Sequence, residues 1–111
     1  MNTFIFFPLF FGSILTMAGF IQFIYPPKGI NALYGYRTSS SMKTKERWDF
    51  AQKYSSKLMI KLGLIYISLA LFGLFLKEHE AIALAIHLPF MLVIFVILIY
   101  KTEKNLKSKF T

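Results

Sequence analysis

The sequence predicts an all-α integral membrane protein with three transmembrane helices, the second extended into the cytoplasm as an amphipathic segment. Three observations predict it. Of 111 residues, 56% are hydrophobic although the net charge is +8. The charges are gathered in blocks outside the apolar runs. Three of those runs are close to the roughly 20 residues that about 30 Å of hydrocarbon requires.

The elements follow in order. Between Met1 and Tyr25 no side chain is charged, so residues 3–25 form the first crossing. The start Met1-Asn2-Thr3 is uncharged and the run ends Tyr25-Pro26-Pro27. It therefore lacks the basic flank and small-residue cleavage site of a signal peptide, and the first helix is expected to stay in the mature protein. Residues 26–57 are a connector followed by an amphipathic helix. Residues 58–76, with Lys61 the sole charge, are the second crossing, and 77–80 are an outer hairpin. Residues 81–100, with His87 as the ionisable side chain before Tyr100, are the third, and 101–111 are a basic tail. The whole chain is one membrane domain.

Lysine and arginine set the expected orientation. Lys28, Arg37, Lys43, Lys45, Arg47, Lys53 and Lys57 lie between the first two crossings, and Lys101, Lys104, Lys107 and Lys109 follow the third. An odd number of crossings puts both groups on one side, which the positive-inside rule makes the cytoplasm, with the N-terminus outside. Basic clusters at helix ends are expected to hold anionic lipid head groups, at about 1 kcal/mol per well-placed charge. Nucleic acid is not expected as a partner, since the tail offers only Phe110 for stacking and no recognised binding module is present.

Pro26-Pro27 stops the first helix. Gly29, Asn31 and Gly35 are suited to positive φ, and Ser39-Ser40-Ser41 offers hydroxyl bonds that compete with helix. Thr44 is an N-cap candidate, with Glu46 and Asp49 near the first turn where acids favour the helix dipole. From Lys45, the residues Trp48, Ala51, Gln52, Ser55, Leu58 and Met59 share one helical face. No breaker separates them from the second crossing, so a continuous helix to Leu76 would be about 48 Å long at 1.5 Å per residue.

Asn31, the block Tyr34-Gly35-Tyr36-Arg37-Thr38, Ser41, Trp48 and Ala51 stand in an order and spacing that resembles the SdpI/YfhL family of small bacterial membrane proteins. Many members are longer, with additional crossings. The resemblance implies a bacterial cytoplasmic membrane protein that gives immunity to a membrane-active peptide toxin, with a toxin peptide and a cytosolic repressor as partners. A lipid-binding or envelope-stress scaffold is the alternative, and a small transporter the third reading.

Arg37 carries a planar five-donor fork suited to a phosphate or carboxylate, or equally to Glu46 or Asp49 at the helix start. Tyr34 and Tyr36 are expected at head-group level with wet hydroxyls, and Trp48 as an interfacial anchor. Within the crossings the polar residues are Ser13, Thr16, Gln22, Lys61, Tyr66, Ser68 and His87, with no Asp or Glu, which weakens proton-coupled transport. Lys61 is near enough to the end to snorkel. Pro89 removes one backbone bond in the third helix, and His87 either lines a polar pocket there or bonds a neighbouring helix.

Gly12, Thr16 and Gly19 lie near one face of the first helix, and Gly63, Ala70 and Gly73 near one face of the second. These faces serve either a three-helix bundle or a homo-oligomer. The chain has no cysteine, hence no disulfide or thiolate chemistry. No ligand spacing for a metal, nucleophile motif or phosphate loop is present, so neither a cofactor nor an enzymatic activity is expected.

Overall fold

A computed structural model of the chain describes residues 3–31, 33–73, 75 and 80–110. The described residues form helices α1 (Thr3–Ile24), α2 (Lys45–Ser68), α3 (Ala70–Gly73) and α4 (Glu80–Phe110), with no strand among them. Three stretches are long and apolar enough to cross a membrane: Phe4–Ile24, Lys45–Gly73 and Ala81–Phe110. The protein is therefore an all-α, multi-pass membrane protein. Its long axis of 49 Å exceeds the roughly 30 Å of a hydrocarbon core, so one end of the bundle extends beyond it. Of the outer hairpin 77–80, residues Lys77, Glu78 and His79 lie outside the described residues.

Small residues decide how α1 meets α2, the most extensive helix pair. A Cβ added at Gly63 would collide with the Thr16 hydroxyl and lie 2.9 Å from the Gly12 carbonyl, and one added at Gly19 would lie 2.9 Å from the Ser56 carbonyl. The backbones thus approach as closely as in small-residue membrane interfaces. Thr16 turns its hydroxyl back to Gly12 O at 2.7 Å, so that donor is paired within α1 rather than left unbonded against α2. The glycine faces are spent within the chain, on the bundle.

Two features differ from the expected elements. The second crossing is not one unbroken helix to Leu76. Ser68 Oγ donates to Leu64 O at 2.9 Å, a back-bond that bends helices. Leu69 N then reaches Tyr66 O at 3.1 Å and Phe72 N reaches Leu69 O at 3.1 Å, a tightened turn before the short α3. The offset brings Gly73 against the start of α1, where an added Cβ would lie 2.9 Å from Phe4 O, the carbonyl that Pro8 has no N–H to serve. The second difference is at the C-terminus, where the basic tail is helix. α4 runs through Pro89 and on to Phe110, burying Leu98, Thr102 and Leu106 at four-residue intervals against the rest of the protein.

α4 is held less closely than α1 is held to α2. An apolar cleft of about 250 Å³ separates the three long helices, with Phe11, Ile14, Met59, Met91 and Phe95 among its walls. His87 is buried beside Phe4 and Phe7 on α1, and its Nδ1 lies 3.2 Å from the Tyr66 hydroxyl of α2. It therefore bonds a neighbouring helix.

Gly63→Val is expected to destabilise the bundle by about 1–3 kcal/mol through overpacking. Gly29→Ala, where nothing lies within 4 Å, is expected to leave stability unchanged. Thermal unfolding of both variants in detergent, followed by helical circular dichroism, checks this; equal melting temperatures would contradict the close α1–α2 packing.

Candidate functional site

The amphipathic half of α2 carries the site. Thr44 caps it with an extended backbone, and its side chain accepts from Arg47 N at 3.1 Å. Trp48, Ala51, Gln52, Ser55 and Leu58 are buried along one face, as their spacing predicts. At the membrane-proximal end Gln22 of α1 donates through Nε2 to Gln52 O and to Ser55 Oγ, each at 2.9 Å.

Gln52 is the centre of the assembly. Its Oε1 accepts from Tyr36 N at 2.6 Å and its Nε2 donates to Tyr36 O at 2.7 Å, so one buried amide satisfies both backbone groups of a loop residue. That approach demands glycine at position 35. Gly35 has φ of 102°, and a Cβ there would run into the Gln52 amide. Of the three positions suited to positive φ, Gly35 is the one that uses it. Asn31 instead acts through its side chain, whose Oδ1 accepts from Leu33 N at 2.9 Å and Tyr34 N at 2.7 Å in an Asx turn.

The other loop residues close the same unit. Ser41 is fully buried; its Oγ accepts from Thr38 N at 2.9 Å, while Thr38 Oγ1 accepts from Ser41 N at 3.2 Å. Tyr36 and Thr38 both donate their hydroxyls to Glu103 Oε2 of α4, at 2.9 and 3.0 Å. Arg47 donates to Ser40 O at 2.9 Å, and its guanidinium lies 5.7 Å from the centre of the Phe110 ring. Tyr54 accepts from Asn105 Nδ2 at 2.9 Å. The loop is thus clasped between α2 and the C-terminal extension of α4.

Several expectations change in consequence. The tyrosine hydroxyls are not left to water: Tyr34 donates to Tyr25 O at 2.7 Å and Tyr36 to Glu103. Trp48 is no interfacial anchor, since it is fully buried and its indole donates to Pro27 O at 2.8 Å, pinning the end of α1 to α2. Arg37 reaches neither Glu46 nor Asp49. Its Nε donates to Asn31 O at 2.9 Å and the side chain is otherwise exposed. Asp49 is taken by Lys45 at 3.3 Å. Ala51 is fully buried on the α2 face, whereas His87 lies in the membrane-spanning part, bonded to Tyr66 and away from the clasp.

Glu103 is a partner the sequence did not single out, and Gln52, placed by its spacing on the shared face of α2, proves to be the loop's anchor. Glu103 has a signal: Leu98, Thr102, Leu106 and Phe110 recur every four residues and mark a buried helical stripe through the lysine-rich tail. Gln52 shares the face of Trp48 and Ser55, where a long polar side chain needs a partner.

Burial, and after it the bond to the Glu103 carboxylate, holds the Tyr36 phenol protonated well above the ordinary tyrosine range near 10. A pKa raised on folding contributes stability that is complete below about pH 10 and lost as pH climbs above it. Tyr36→Phe is therefore expected to show a smaller loss of urea stability than the native chain between about pH 9.5 and 11.5; parallel pH curves would contradict the Tyr36–Glu103 bond. Gln52→Ala leaves the half-buried Tyr36 N–H without its partner and its carbonyl with only the longer bond from Ser41 Oγ at 3.3 Å, and is expected to cost about 1–3 kcal/mol, against under about 1 kcal/mol for Arg37→Ala. Melting of both variants in detergent measures the difference.

A family model described as the SdpI/YfhL protein family matches residues 28–102, which span the loop, α2 and most of α4. The chain is similar to the uncharacterized protein YfhL of Bacillus subtilis (strain 168), with 38% identity over 99 residues, covering 86% of this chain and 82% of that protein. No solved structure matches it. Residues 28–102 open on the clasped loop and close on the α4 helix that clasps it, and the chain belongs to the SdpI/YfhL family.

Proposed function

We propose that this protein is a non-enzymatic immunity protein of the bacterial cytoplasmic membrane, protecting its cell from a membrane-active peptide toxin. Family membership is the observation that carries the reading, because immunity is the role the SdpI/YfhL resemblance implies. The N-terminus faces outward, and the basic loop and α4 extension face the cytoplasm, following the distribution of lysine and arginine.

The geometry supports binding over chemistry. The hydroxyl and amide groups of the loop are bonded to one another and to Glu103, an arrangement suited to holding the loop in shape. What the clasp offers outward is a rigid basic surface bearing Arg37. A cytosolic repressor is the partner such a surface would engage in a signalling role, and the apolar helices are where a toxin peptide would be met.

The test is survival and membrane potential of a toxin-sensitive bacterium expressing the native chain, Arg37→Ala, or Gln52→Ala, with equal amounts in the membrane. Protection by the native chain against one toxin is expected, reduced at least ten-fold in Gln52→Ala where the clasp is broken. Broad, modest resistance across unrelated membrane stresses would instead favour the lipid-binding scaffold.

A further inference from the structure

At the loop end of the bundle, a cavity of about 550 Å³ opens between the last turn of α1 and the first turns of α2. Its floor is Gln22 and Gln52, both buried, and its apolar wall is Phe23 with Pro26 and Pro27. Lys28, Lys45, Lys53 and Asp49 surround it. The signature residues build this chamber without entering it. Gln52 faces it while holding Tyr36, and Pro27 lines it while accepting the Trp48 indole.

The charges do not cancel. Asp49 is met by Lys45 at 3.3 Å, and the same ammonium donates to Lys28 O at 3.0 Å, so the one acid on the wall is already compensated. Lys28 and Lys53 have no anionic partner among the described residues. One turn along α2 from Lys53, the Lys57 ammonium sits 5.9 Å from the centre of the Phe23 ring, adding a further positive charge at the edge. The cavity therefore combines uncompensated positive charge with an apolar wall, at the depth where α1 gives way to Tyr25, Pro26 and Lys28.

We propose that this cavity is a binding site for a phosphate-bearing anion, supplied by the phosphodiester head group of an anionic membrane lipid, with Lys28 and Lys53 meeting the phosphate and Phe23 the lipid's glycerol and upper acyl chain. Depth argues for the lipid source: exposed Phe23, Ile24 and Tyr25 place the opening at the membrane surface, where anionic head groups concentrate. Lysine suits the role as a point charge on a flexible stem that follows a mobile head group. This inference stands independently of the immunity reading, since it requires no toxin.

The test uses the full chain in a non-ionic detergent. The sole tryptophan, Trp48, reports on the site because its indole is bonded to Pro27 on the wall. Soluble dihexanoyl phosphatidylglycerol, dihexanoyl phosphatidylcholine and inorganic phosphate are titrated separately against Trp48 fluorescence, with native mass spectrometry counting retained lipid. Phosphatidylglycerol is expected to bind saturably, one per chain, at least ten-fold tighter than phosphatidylcholine and than phosphate. The double variant Lys28→Gln/Lys53→Gln is expected to lose about ten-fold or more in affinity. Lys101→Gln/Lys107→Gln, which removes the same charge from exposed positions on α4, is expected to leave it unchanged. Inorganic phosphate binding as tightly as phosphatidylglycerol would uphold the phosphate site and overturn its lipid source. Equal binding of the two lipids, or equal losses in the two double variants, would overturn the site itself. Lys28 and Lys53 are exposed, so an unaltered circular dichroism spectrum separates a lost site from a lost fold.

Discussion

The arrangement at the loop end depends on one buried amide. Gln52 sits where α1, α2 and the loop converge, and a buried carboxamide with an unmet donor or acceptor is costly. It meets that demand by taking both backbone groups of Tyr36, while its own backbone carbonyl accepts from Gln22. None of these three bonds is local in sequence. Once they form, Tyr36 is fixed over α2, Gly35 must adopt positive φ to clear the amide, and the Tyr36 hydroxyl is delivered to Glu103. The same register sets Thr38 within reach of Glu103, and Ser41 within reach of Thr38.

This explains why the signature residues look like a binding motif and act as a scaffold. Tyrosine, threonine and serine in a basic loop suggest groups held out for a ligand, yet here their polar atoms are turned inward. The surface they leave is defined by lysines outside the signature around a cavity on one side, and on another by Arg37, the signature residue that stays exposed.

The membrane class, the three long helices, the Thr44 cap and the buried face of α2 were legible in the sequence, because each rests on a one-dimensional signal: run length, a capping hydroxyl, or a 3.6-residue period. The glycine faces were legible as packing surfaces but not as to their partner, and the structure spends them between α1 and α2. The roles of Trp48, Tyr36 and Arg37 were not legible. Their partners are Pro27 O, Glu103 and Asn31 O, two of them backbone atoms that no residue pattern marks. The α4 extension was hidden for another reason. Its lysines read as a solvated tail, and the buried stripe of Leu98, Thr102 and Leu106 beneath them has a polar residue in the middle.

Two kinds of cohesion meet along α2. In its apolar half, backbone atoms of α1 and α2 touch through glycine, and the contact depends on shape because lipid competes equally well for apolar side chains. In its amphipathic half, cohesion comes from hydrogen bonds and from Trp48, buried away from solvent. α2 is one unbroken helix from Lys45 to Ser68, so the two halves cannot move separately without bending it. α4 packs more sparsely within the membrane, and at the basic end it is fastened through Glu103, Asn105 and Phe110. α4 is thus joined to α1 through His87 beside Phe4 and Phe7 within the membrane, and to the loop through Glu103 at the basic end.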